Sequence, residues 1–458
     1  MVHFWMTPAS LTATEREAKS PSPLPPPPPP EPVPPLDGLP PESFLAHTAS
    51  SFSKAVSGRL GRGDSLARAL YKSYFHDPEV RSNPPAEICA SAALGARVLG
   101  LAEFVPPLCF AQETPSSPIA GETEKYVLRC VNHEEVEMVL MPAPGAGGSW
   151  SLCISSQVGC RMGCAFCETG KMGLLRNLDV AEIVSQVFHA RVTLQLRIAN
   201  VVFMGMGEPL DNVDNVIASI RIMTDALGLN IPMSHVTVST SGEAAAVYKL
   251  QEALPSVRLA FSLHAANDTL RSRLMPINRR VPLAELARAM ASYILRSKKR
   301  VMIQYVLLAG VNDAVHHAEE LVAFLATTGP SSRLCVNLIP YNPQSRPAFT
   351  APTHDACKAF KTALQEAGLF VKIREEKGQK KMAACGQLGN VRLRRDLSRR
   401  KREEDERLQT EGCAGGEDET VEEAAAEAAA VVQHALDVAA PTAGPSTDCL
   451  CTRDDLSW

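Results

Sequence analysis

The stretch SSQVGCRMGCAFCETG, residues 155–170, decides how the rest of the chain is interpreted. It places Cys160, Cys164 and Cys167 in a C-x3-C-x2-C pattern, in a loop at the end of the apolar run WSLCISS, residues 150–156. Thiolates this close can bind a metal together, and no nearby histidine supplies the fourth ligand of a closed zinc site. A [4Fe–4S] cluster held by three cysteines keeps one iron open. We expect such a cluster; a zinc site and three unrelated buried thiols are the alternatives.

Six apolar, β-rich runs recur from residue 150 onward, and helical patterns separate most of them. Strands that are apolar on both faces and alternate with helices are typical of βα units and a parallel sheet. Six units are fewer than the eight of a closed barrel. The predicted fold class is therefore α/β, an open six-fold (β/α) partial barrel with its chemistry at the C-terminal strand ends. The runs are WSLCISS (150–156), NVVFMG (200–205), HVTVSTS (235–241), VRLAFSLH (257–264), VMIQYVLL (301–308) and LCVNLIP (334–340), followed by a further strand, LFVKIRE (369–375).

Composition divides the chain outside this core. Residues 21–35 contain 11 prolines, and such a run favours polyproline II and cannot join a core. Helical patterns, and then an alternation of apolar and polar residues, precede the core. We predict six segments: a disordered Pro-rich start (1–36), a small helical accessory domain (37–120), a β-hairpin lead-in (121–149), the (β/α)6 core (150–390), a basic segment (391–402) and an acidic, largely disordered tail (403–458).

The charge is uneven along the chain. The tail, residues 403–458, carries 15 acids and two arginines, whereas the whole chain has a net charge of only −4. The rest is therefore basic, which suits a polyanionic partner, although a solvated surface explains charge alone equally well.

The 13 cysteines follow no disulfide framework, and neither a signal peptide nor an apolar run of ~18 residues is present. We expect a reduced, intracellular protein without a membrane span, in the cytoplasm. An organelle is the alternative, although residues 1–20 make a poor presequence.

Six ordered blocks within residues 124–390 resemble the RlmN/Cfr family of radical S-adenosylmethionine (SAM) adenosine methyltransferases of ribosomal RNA. A weaker likeness extends over residues 37–120. The resemblance implies one [4Fe–4S] cluster, SAM, an RNA substrate, an electron donor such as flavodoxin or ferredoxin, and a monomer. The blocks are LCISSQVGCRMGCAFCETGKMGLLRNL, VVFMGMGEPL, VTVSTSG, FSLHAANDTLRSRLMPIN, VNLIPYNP and AACGQL.

The resemblance also implies the SAM contacts, which fall near strand ends. Glu208 in GMGEP is expected to engage the SAM amino group, and a carboxylate opposite an ammonium is the appropriate chemistry. A tight turn would explain an isolated G-x-G-E-P equally well, and an isolated His264 would be read as a core histidine. The positions that align with the family's SAM contacts are Gly207, Glu208, Ser239, Ser262, Leu263, His264 and Asn342.

Cys153, inside the first strand, and Cys385, in the Gly-flanked MAACGQL, would by default be inert buried thiols. The resemblance implies instead that Cys385 accepts a methyl group from one SAM. A 5′-deoxyadenosyl radical from a second SAM then removes a hydrogen atom, and the carbon radical adds to the adenine ring. Cys153 resolves the thioether and leaves a transient Cys153–Cys385 disulfide. Glu137, in VEMVLMP, aligns with the family's proton acceptor; a solvent-facing strand glutamate is the alternative.

RNA contacts are expected from basic side chains, which supply salt-dependent affinity for phosphates. Arg279 and Arg280, after the family-like LMPIN, are the best candidates, although solvated surface arginines are an equal alternative. We predict methylation of adenosine C2 in large-subunit rRNA, tRNA or both. The alternatives are C8 methylation of the Cfr type and a non-catalytic RNA- or zinc-binding protein on the same scaffold. The candidate phosphate contacts outside 391–402 are Lys171, Arg176, Arg271, Arg273, Arg279 and Arg280.

Overall fold

The computed structural model describes residues 40–77, 79–80, 83–111, 117–143, 147–297, 299–345, 347–374, 378, 381–389 and 399. Two compact units divide the chain, Met1–Gly389 and Asn390–Trp458, and the helices and strands below belong to the first. In the second unit only Arg399, which is exposed, is described. The predicted disordered start (1–36), the acidic tail (403–458) and the rest of the basic segment (391–402) lie outside the described residues.

Short helices dominate the N-terminal part of the first unit. The first long helix begins at a capping box between Thr48 and Ser51 and ends at Gly61, whose φ of +70° favours glycine. The ring of Tyr74 stacks on Phe188 at 4.9 Å and joins this part to the sheet-covering helices. Its elements are β1 (Glu42–Ser43), α1 (Ala49–Leu60), α2 (Asp64–Tyr74), α3 (Ala86–Ala90), α4 (Ala92–Gly100), β2 (Ala102–Glu103) and β3 (Cys109–Phe110).

A hairpin, a cysteine loop and the βα units follow in chain order. They are β4 (Glu124–Arg129), β5 (Glu135–Pro142), β6 (Trp150–Ile154), β7 (Gln157–Cys160), α5 (Glu168–Met172), β8 (Gly173–Asn177), α6 (Val180–Phe188), β9 (Ile198–Phe203), α7 (Val213–Met223), β10 (Val236–Thr240), α8 (Ala244–Ala253), β11 (Arg258–Ser262), α9 (Asp268–Leu274), α10 (Leu283–Ser297), β12 (Val301–Leu307), α11 (Val315–Ala326), β13 (Leu334–Pro340), α12 (His354–Glu366) and β14 (Phe370–Ile373). Single turns of 3-10 helix lie at Phe44–Ala46, Pro209–Asn212, Met233–His235, Pro276–Arg279 and Ser331–Arg333, and a π-helical turn at His189–Thr193.

One 10-stranded sheet carries the fold, in the order β14-β13-β12-β11-β10-β9-β6-β5-β4-β3. Every pair from β6 to β14 is parallel, whereas β5, β4 and β3 add antiparallel strands at the other edge. The two edges are formed by different strands, so the sheet is open. The predicted α/β class with an open (β/α) partial barrel is confirmed, and β14 extends it by one parallel strand.

The cysteine loop contains a feature that the sequence pattern did not predict. Strands β7 and β8 pair antiparallel in a separate two-stranded sheet that encloses the loop. Gly159 has a φ of +75°, and a Cβ there would lie 1.9 Å from the Gly173 carbonyl oxygen, so the pairing requires glycine. Its strands, QVGC and GLLRN, form no apolar run of the kind that predicted the strands of the main sheet. Within the described part of the chain, no helix is long and apolar enough to cross a membrane.

Candidate active site

A cavity at the C-terminal ends of the parallel strands brings most of the predicted site residues together. Its empty volume is about 860 Å³, counting the solvent at its open mouth. The cysteines of the C-x3-C-x2-C loop line one part of it. The predicted residues that line it are Cys160, Cys164, Cys167, Gly207, Glu208, Ser239, Ser262, His264, Asn342 and Cys385.

The cysteine loop is shaped by close backbone contacts. Cys160 ends β7, and Cys167 is the N-cap of α5. A Cβ at Gly170 would lie 2.9 Å from the backbone nitrogen of Cys164, so the loop closes only around glycine. Burial raises the pKa of all three thiols, that of Cys160 to about 12. Such thiols ionise readily only when a metal is bound, which is the chemistry of a cluster site.

The three cysteines of the loop line one cavity. Three thiolates can each bind a different iron atom of one cluster. Among the described residues, no group of three or more His, Cys, Asp or Glu side chains is arranged to hold a single metal ion.

Glu208 offers an acceptor for a cationic group. Its Oε1 accepts a hydrogen bond from the Leu210 backbone at 3.0 Å, and its Oε2 accepts two from Ser241, at 2.7 and 2.6 Å. The carboxylate also lines the cavity, where it can pair with an ammonium group. Burial raises the pKa of Glu208, and these hydrogen bonds oppose that shift. Gly207 (φ +101°) permits the turn, since a Cβ there would lie 2.6 Å from Gln157 Cβ.

His264 follows β11 in a left-handed conformation, with φ +58°. A non-glycine residue held there at a strand end is a mark of a functional site. Its Nδ1 accepts a hydrogen bond from the Val306 backbone at 2.9 Å, and burial lowers its pKa to about 3. The ring is therefore neutral with its proton on Nε2. Its neighbour Leu263 is fully buried and does not line the cavity.

A second cavity, with an empty volume of about 530 Å³, is lined by Cys153, Cys385 and Arg374. Cys385 and Asn342 border both cavities. The Arg374 Nη1 group donates a hydrogen bond to Cys385 Sγ at 3.1 Å, and burial raises the pKa of Cys153 to about 12. The Asn342 amide nitrogen donates to the Cys385 carbonyl at 3.3 Å, whereas Asn342 Oδ1 is buried without a partner. An unpaired buried acceptor between two cavities fits a ligand that donates a hydrogen bond.

Glu137 is not a solvent-facing strand residue, because only 3% of its surface is exposed. Its Oε1 accepts a hydrogen bond from Lys125 Nζ at 3.0 Å, and its Oε2 accepts one from the Gly389 backbone at 2.9 Å. It shares a face of β5 with Val139 and Met141, which line the second cavity. The residue thus lies beside the two thiols although it lines neither cavity.

The basic candidates for RNA contact have different surroundings. Arg273 and Arg279 are exposed. Arg280 is also exposed but forms an ion pair with Glu243. Arg176 is half-buried and forms ion pairs with two glutamates, so its charge is already compensated.

The expectation that Arg271 contacts phosphates is wrong, because Arg271 is fully buried. Its guanidinium donates to the carbonyls of Leu263 and Ser241, at 3.1 and 2.6 Å, and to Asn278 Oδ1 at 2.8 Å. Burial lowers its pKa to about 10. Arg271 therefore ties together the segments that follow β10 and β11.

Sequence reasoning missed several residues of the two cavities. Ser241 lies directly after β10 in VTVSTSG, and its strand-end position is a signal that could have identified it. Gln304, inside β12, and Tyr341, directly after β13, also line the first cavity. Arg374 follows β14, but nothing in the local sequence indicates that it reaches Cys385.

Comparisons with known proteins agree with this geometry. Residues 154–325 match the model of the radical SAM superfamily. The chain is 43% identical over 358 residues, 78% of this chain and 96% of the relative, to "Probable dual-specificity RNA methyltransferase RlmN 1" of Protochlamydia amoebophila. It is 46% identical to the dual-specificity RNA methyltransferase RlmN of Pelobacter propionicus, over 60% of this chain and 77% of that relative. A solved radical SAM methyltransferase from Sphaerobacter thermophilus superposes with a TM-score of 0.66 at 35% identity, covering 76% of this chain and 99% of that one.

Likeness at this level, over nearly the whole length of a relative, establishes the family. Its cofactors, a [4Fe–4S] cluster and SAM, are those of this chain. The residues of the first cavity fit both groups, with three thiols for iron and a buried carboxylate for an ammonium group. The chain belongs to the RlmN family of RNA methyltransferases, within the radical SAM superfamily.

Proposed function

We propose that this protein methylates C2 of an adenosine in RNA, in large-subunit rRNA, tRNA or both, with Cys385 as the methyl carrier. The observation that carries the proposal is that Cys385 borders both the cavity of the cluster cysteines and the cavity of Cys153. A thiol in this place can accept a methyl group from one side and be attacked by a second thiol from the other. The names of the relatives support RNA as the substrate class.

The first cavity is proposed to hold the cofactors. Cys160, Cys164 and Cys167 ligate the cluster, and the Glu208 carboxylate pairs with the SAM ammonium group. When bound, the cluster and SAM supply the 5′-deoxyadenosyl radical that removes a hydrogen atom from the methyl group on Cys385. Leu263 is not included in the proposed SAM site, because its backbone nitrogen and carbonyl oxygen are already hydrogen-bonded to Gln304 and Arg271. The SAM site is completed by Gly207, Ser239, Ser262, His264 and Asn342.

The two thiols act in sequence. The Cys385 thiolate attacks the SAM methyl group, so that the Sγ–C bond forms while the sulfonium C–S bond breaks and S-adenosylhomocysteine leaves. After the methyl carbon has joined the RNA, the adduct gives one electron to an acceptor such as oxidised flavodoxin or ferredoxin and its ring proton to Glu137. The Cys153 thiolate then attacks Cys385 Sγ. The S–S bond forms as the C–S bond to the RNA breaks, and the electron pair stays on the carbon, which takes a proton. A thiol reductant then restores both cysteines.

Glu137 is the proposed acceptor of the adenine ring proton. Support comes from its buried position beside the thiol cavity and from Lys125, which pairs with the carboxylate. The bond from the Gly389 backbone, four residues after Cys385, ties the base to the segment that carries the methyl group. These two bonds fix the position of the carboxylate, as a proton acceptor requires.

RNA recognition is proposed to involve Arg279 and Arg280, which are exposed at the end of a helical turn. The target adenine must leave its stack to reach an enclosed thiol. We also infer a monomer, since one chain supplies all the cysteines of the mechanism, and electron supply by flavodoxin or ferredoxin. The reduced cysteines of the site favour the cytoplasm, with an organelle as the alternative.

The test is nucleoside mass spectrometry on rRNA and tRNA incubated anaerobically with SAM, an electron source and the reconstituted protein. We expect 2-methyladenosine, and none with Cys385→Ala, which is the matched control. 8-Methyladenosine would replace C2 by C8 as the target. Cluster-containing protein that cleaves SAM without methylating either RNA would overturn the proposed substrate. A colourless protein with stoichiometric zinc would support the non-catalytic alternative.

A further inference from the structure

Arg374 places a guanidinium between the two thiols of the second cavity. Its backbone nitrogen donates to the Leu338 carbonyl at 2.8 Å, which continues the β13–β14 ladder and fixes where the side chain starts. Its Nη1 donates to Cys385 Sγ at 3.1 Å, while its Nη2 lies 3.7 Å from Met141 Sδ. Arg374 and Cys153 line the same cavity. One cation therefore faces both sulfur atoms.

This cation has no carboxylate partner among the described residues. Its side chain contacts the sulfur atoms of Cys385 and Met141. The thiols of Cys385 and, more weakly, Cys153 raise the pKa of Arg374, whereas burial acts in the opposite direction. Because a buried guanidinium is costly without a counter-charge, the thiolate of Cys385 is the natural anion for it.

The two thiols differ in their surroundings. Cys153 is buried within β6, and its pKa is raised to about 12 by burial and then by the charge of Cys385, while Arg374 lowers it. The ionisable groups that act on Cys385 are Arg374 after β14, Cys153 from β6 and Cys167 at the start of α5. A negative charge on Cys385 therefore opposes one on Cys153.

We propose that Arg374 is a positioning residue that serves the two thiols in turn. It first stabilises the Cys385 thiolate, which can then accept the methyl group. Alkylation turns that thiolate into an uncharged thioether and frees the guanidinium. Arg374 then stabilises the Cys153 thiolate, whose proton passes to solvent, for attack on Cys385 Sγ. The roles of the thiols rest on the proposed function, but the relationship between the charges does not require RNA.

The first half is tested in the full chain with its cluster, under anaerobic conditions. The probe is methyl methanethiosulfonate, a small thiol reagent, and peptide mass spectrometry follows modification of Cys385 between pH 6 and 10. Arg374→Gln should raise the pH midpoint of this reaction by about one to two units. Arg374→Lys, which keeps the charge, should recover most of the shift. The exposed Cys109 is the internal control, and identical Cys385 profiles in wild type and Arg374→Gln would overturn the proposal.

The second half is tested by removing the Cys385 charge. In Cys385→Ala, the pH midpoint for modification of Cys153 should fall below that of the wild type, and adding Arg374→Gln should raise it again. If the pH profile of Cys153 modification is the same in wild type and in both variants, Arg374 does not stabilise the two thiolates in turn, and the proposal is overturned. If these shifts occur while wild-type protein methylates no RNA, the proposed function fails and the relationship between the charges stands.

Discussion

The Nζ of Lys125 lies 3.0 Å from Oε1 of Glu137, and the pair spans the β4–β5 hairpin. The strand register sets Lys125 opposite Val139 and Glu137 opposite Val127, so the charged side chains are diagonal neighbours on one face. The second carboxylate oxygen accepts a hydrogen bond from the Gly389 backbone at 2.9 Å. The buried carboxylate thus joins the hairpin to the segment that carries Cys385.

Removing the cation of this pair should lower the free energy of unfolding more than removing both charges. Lys125→Met leaves the Glu137 carboxylate buried without its cation, which should lower the free energy of unfolding by about 2 kcal/mol. The measurement is urea unfolding of the full chain. Lys125→Met combined with Glu137→Gln is the control and should recover most of the loss. Equal destabilisation by the single and the double variant would show that the lysine contributes through packing alone.

Removing Cys385 and removing Cys153 should stop the methylation reaction at different steps. Cys385→Ala should abolish methyl transfer, because no carrier remains. Cys153→Ala should leave the RNA covalently attached to the protein, because nothing attacks Cys385 Sγ. Denaturing gels of reactions with labelled RNA distinguish the two outcomes. Cys109→Ala, which changes an exposed thiol, is the matched control and should behave as wild type. An active Cys385→Ala protein would contradict the mechanism.

Loss of the Glu208 charge should weaken SAM binding. Glu208→Gln keeps the shape of the side chain but offers the ammonium group no counter-charge, so the affinity should fall roughly ten- to a hundredfold. Equilibrium dialysis with labelled SAM on cluster-loaded protein measures it, with iron content as the check that the site is intact. Ser241→Ala, which removes a neighbour of the same carboxylate, should have a smaller effect. Unchanged SAM affinity in Glu208→Gln would remove this residue from the site.

His264 should make the fold sensitive to acid. Its folded pKa is about 3, against 6.5 as the ordinary value, because burial disfavours the charged ring. Between these two pH values the unfolded chain binds a proton that the folded chain does not, so stability falls as the pH is lowered. At pH 5 this contribution is about 2 kcal/mol.

The measurement is the urea midpoint of the full chain at pH 7 and pH 5. In His264→Asn the loss of stability on acidification should be smaller than in the wild type. His354→Asn, at a histidine whose side chain is 87% exposed, should leave the pH dependence unchanged. An identical slope in His264→Asn and wild type would show that the histidine does not titrate on unfolding.

Local patterns predicted the elements of the sheet well and the cysteine loop less well. The strands β6 and β9 to β13 were predicted because apolar runs alternating with helical periodicity are properties of neighbouring residues. The β7–β8 pair was missed, since its strands form no apolar run and its register depends on glycines that let two backbones approach. Backbone contact, rather than hydrophobic pattern, determines that feature.

Charge and burial also had to come from the structure. In the sequence, Arg271 and Arg279 are equivalent basic residues near one motif. The fold buries Arg271 completely and leaves Arg279 exposed. The difference arises because Arg271 lies on the inner side of α9, where backbone carbonyls of two strand ends accept its hydrogen bonds.

The sequence by itself determined which chemical groups are present and at which strand ends they stand, because spacing and periodicity are local. It specified three clustered thiols, two further cysteines and a GMGEP turn. Only the tertiary structure decided which of these groups meet. The hydrogen bond between Glu137 and Gly389, which are 252 positions apart, depends on the order and register of the strands. So does the contact of Arg374 with Cys385. Contacts of that kind are set by packing of the whole sheet, which no local pattern records.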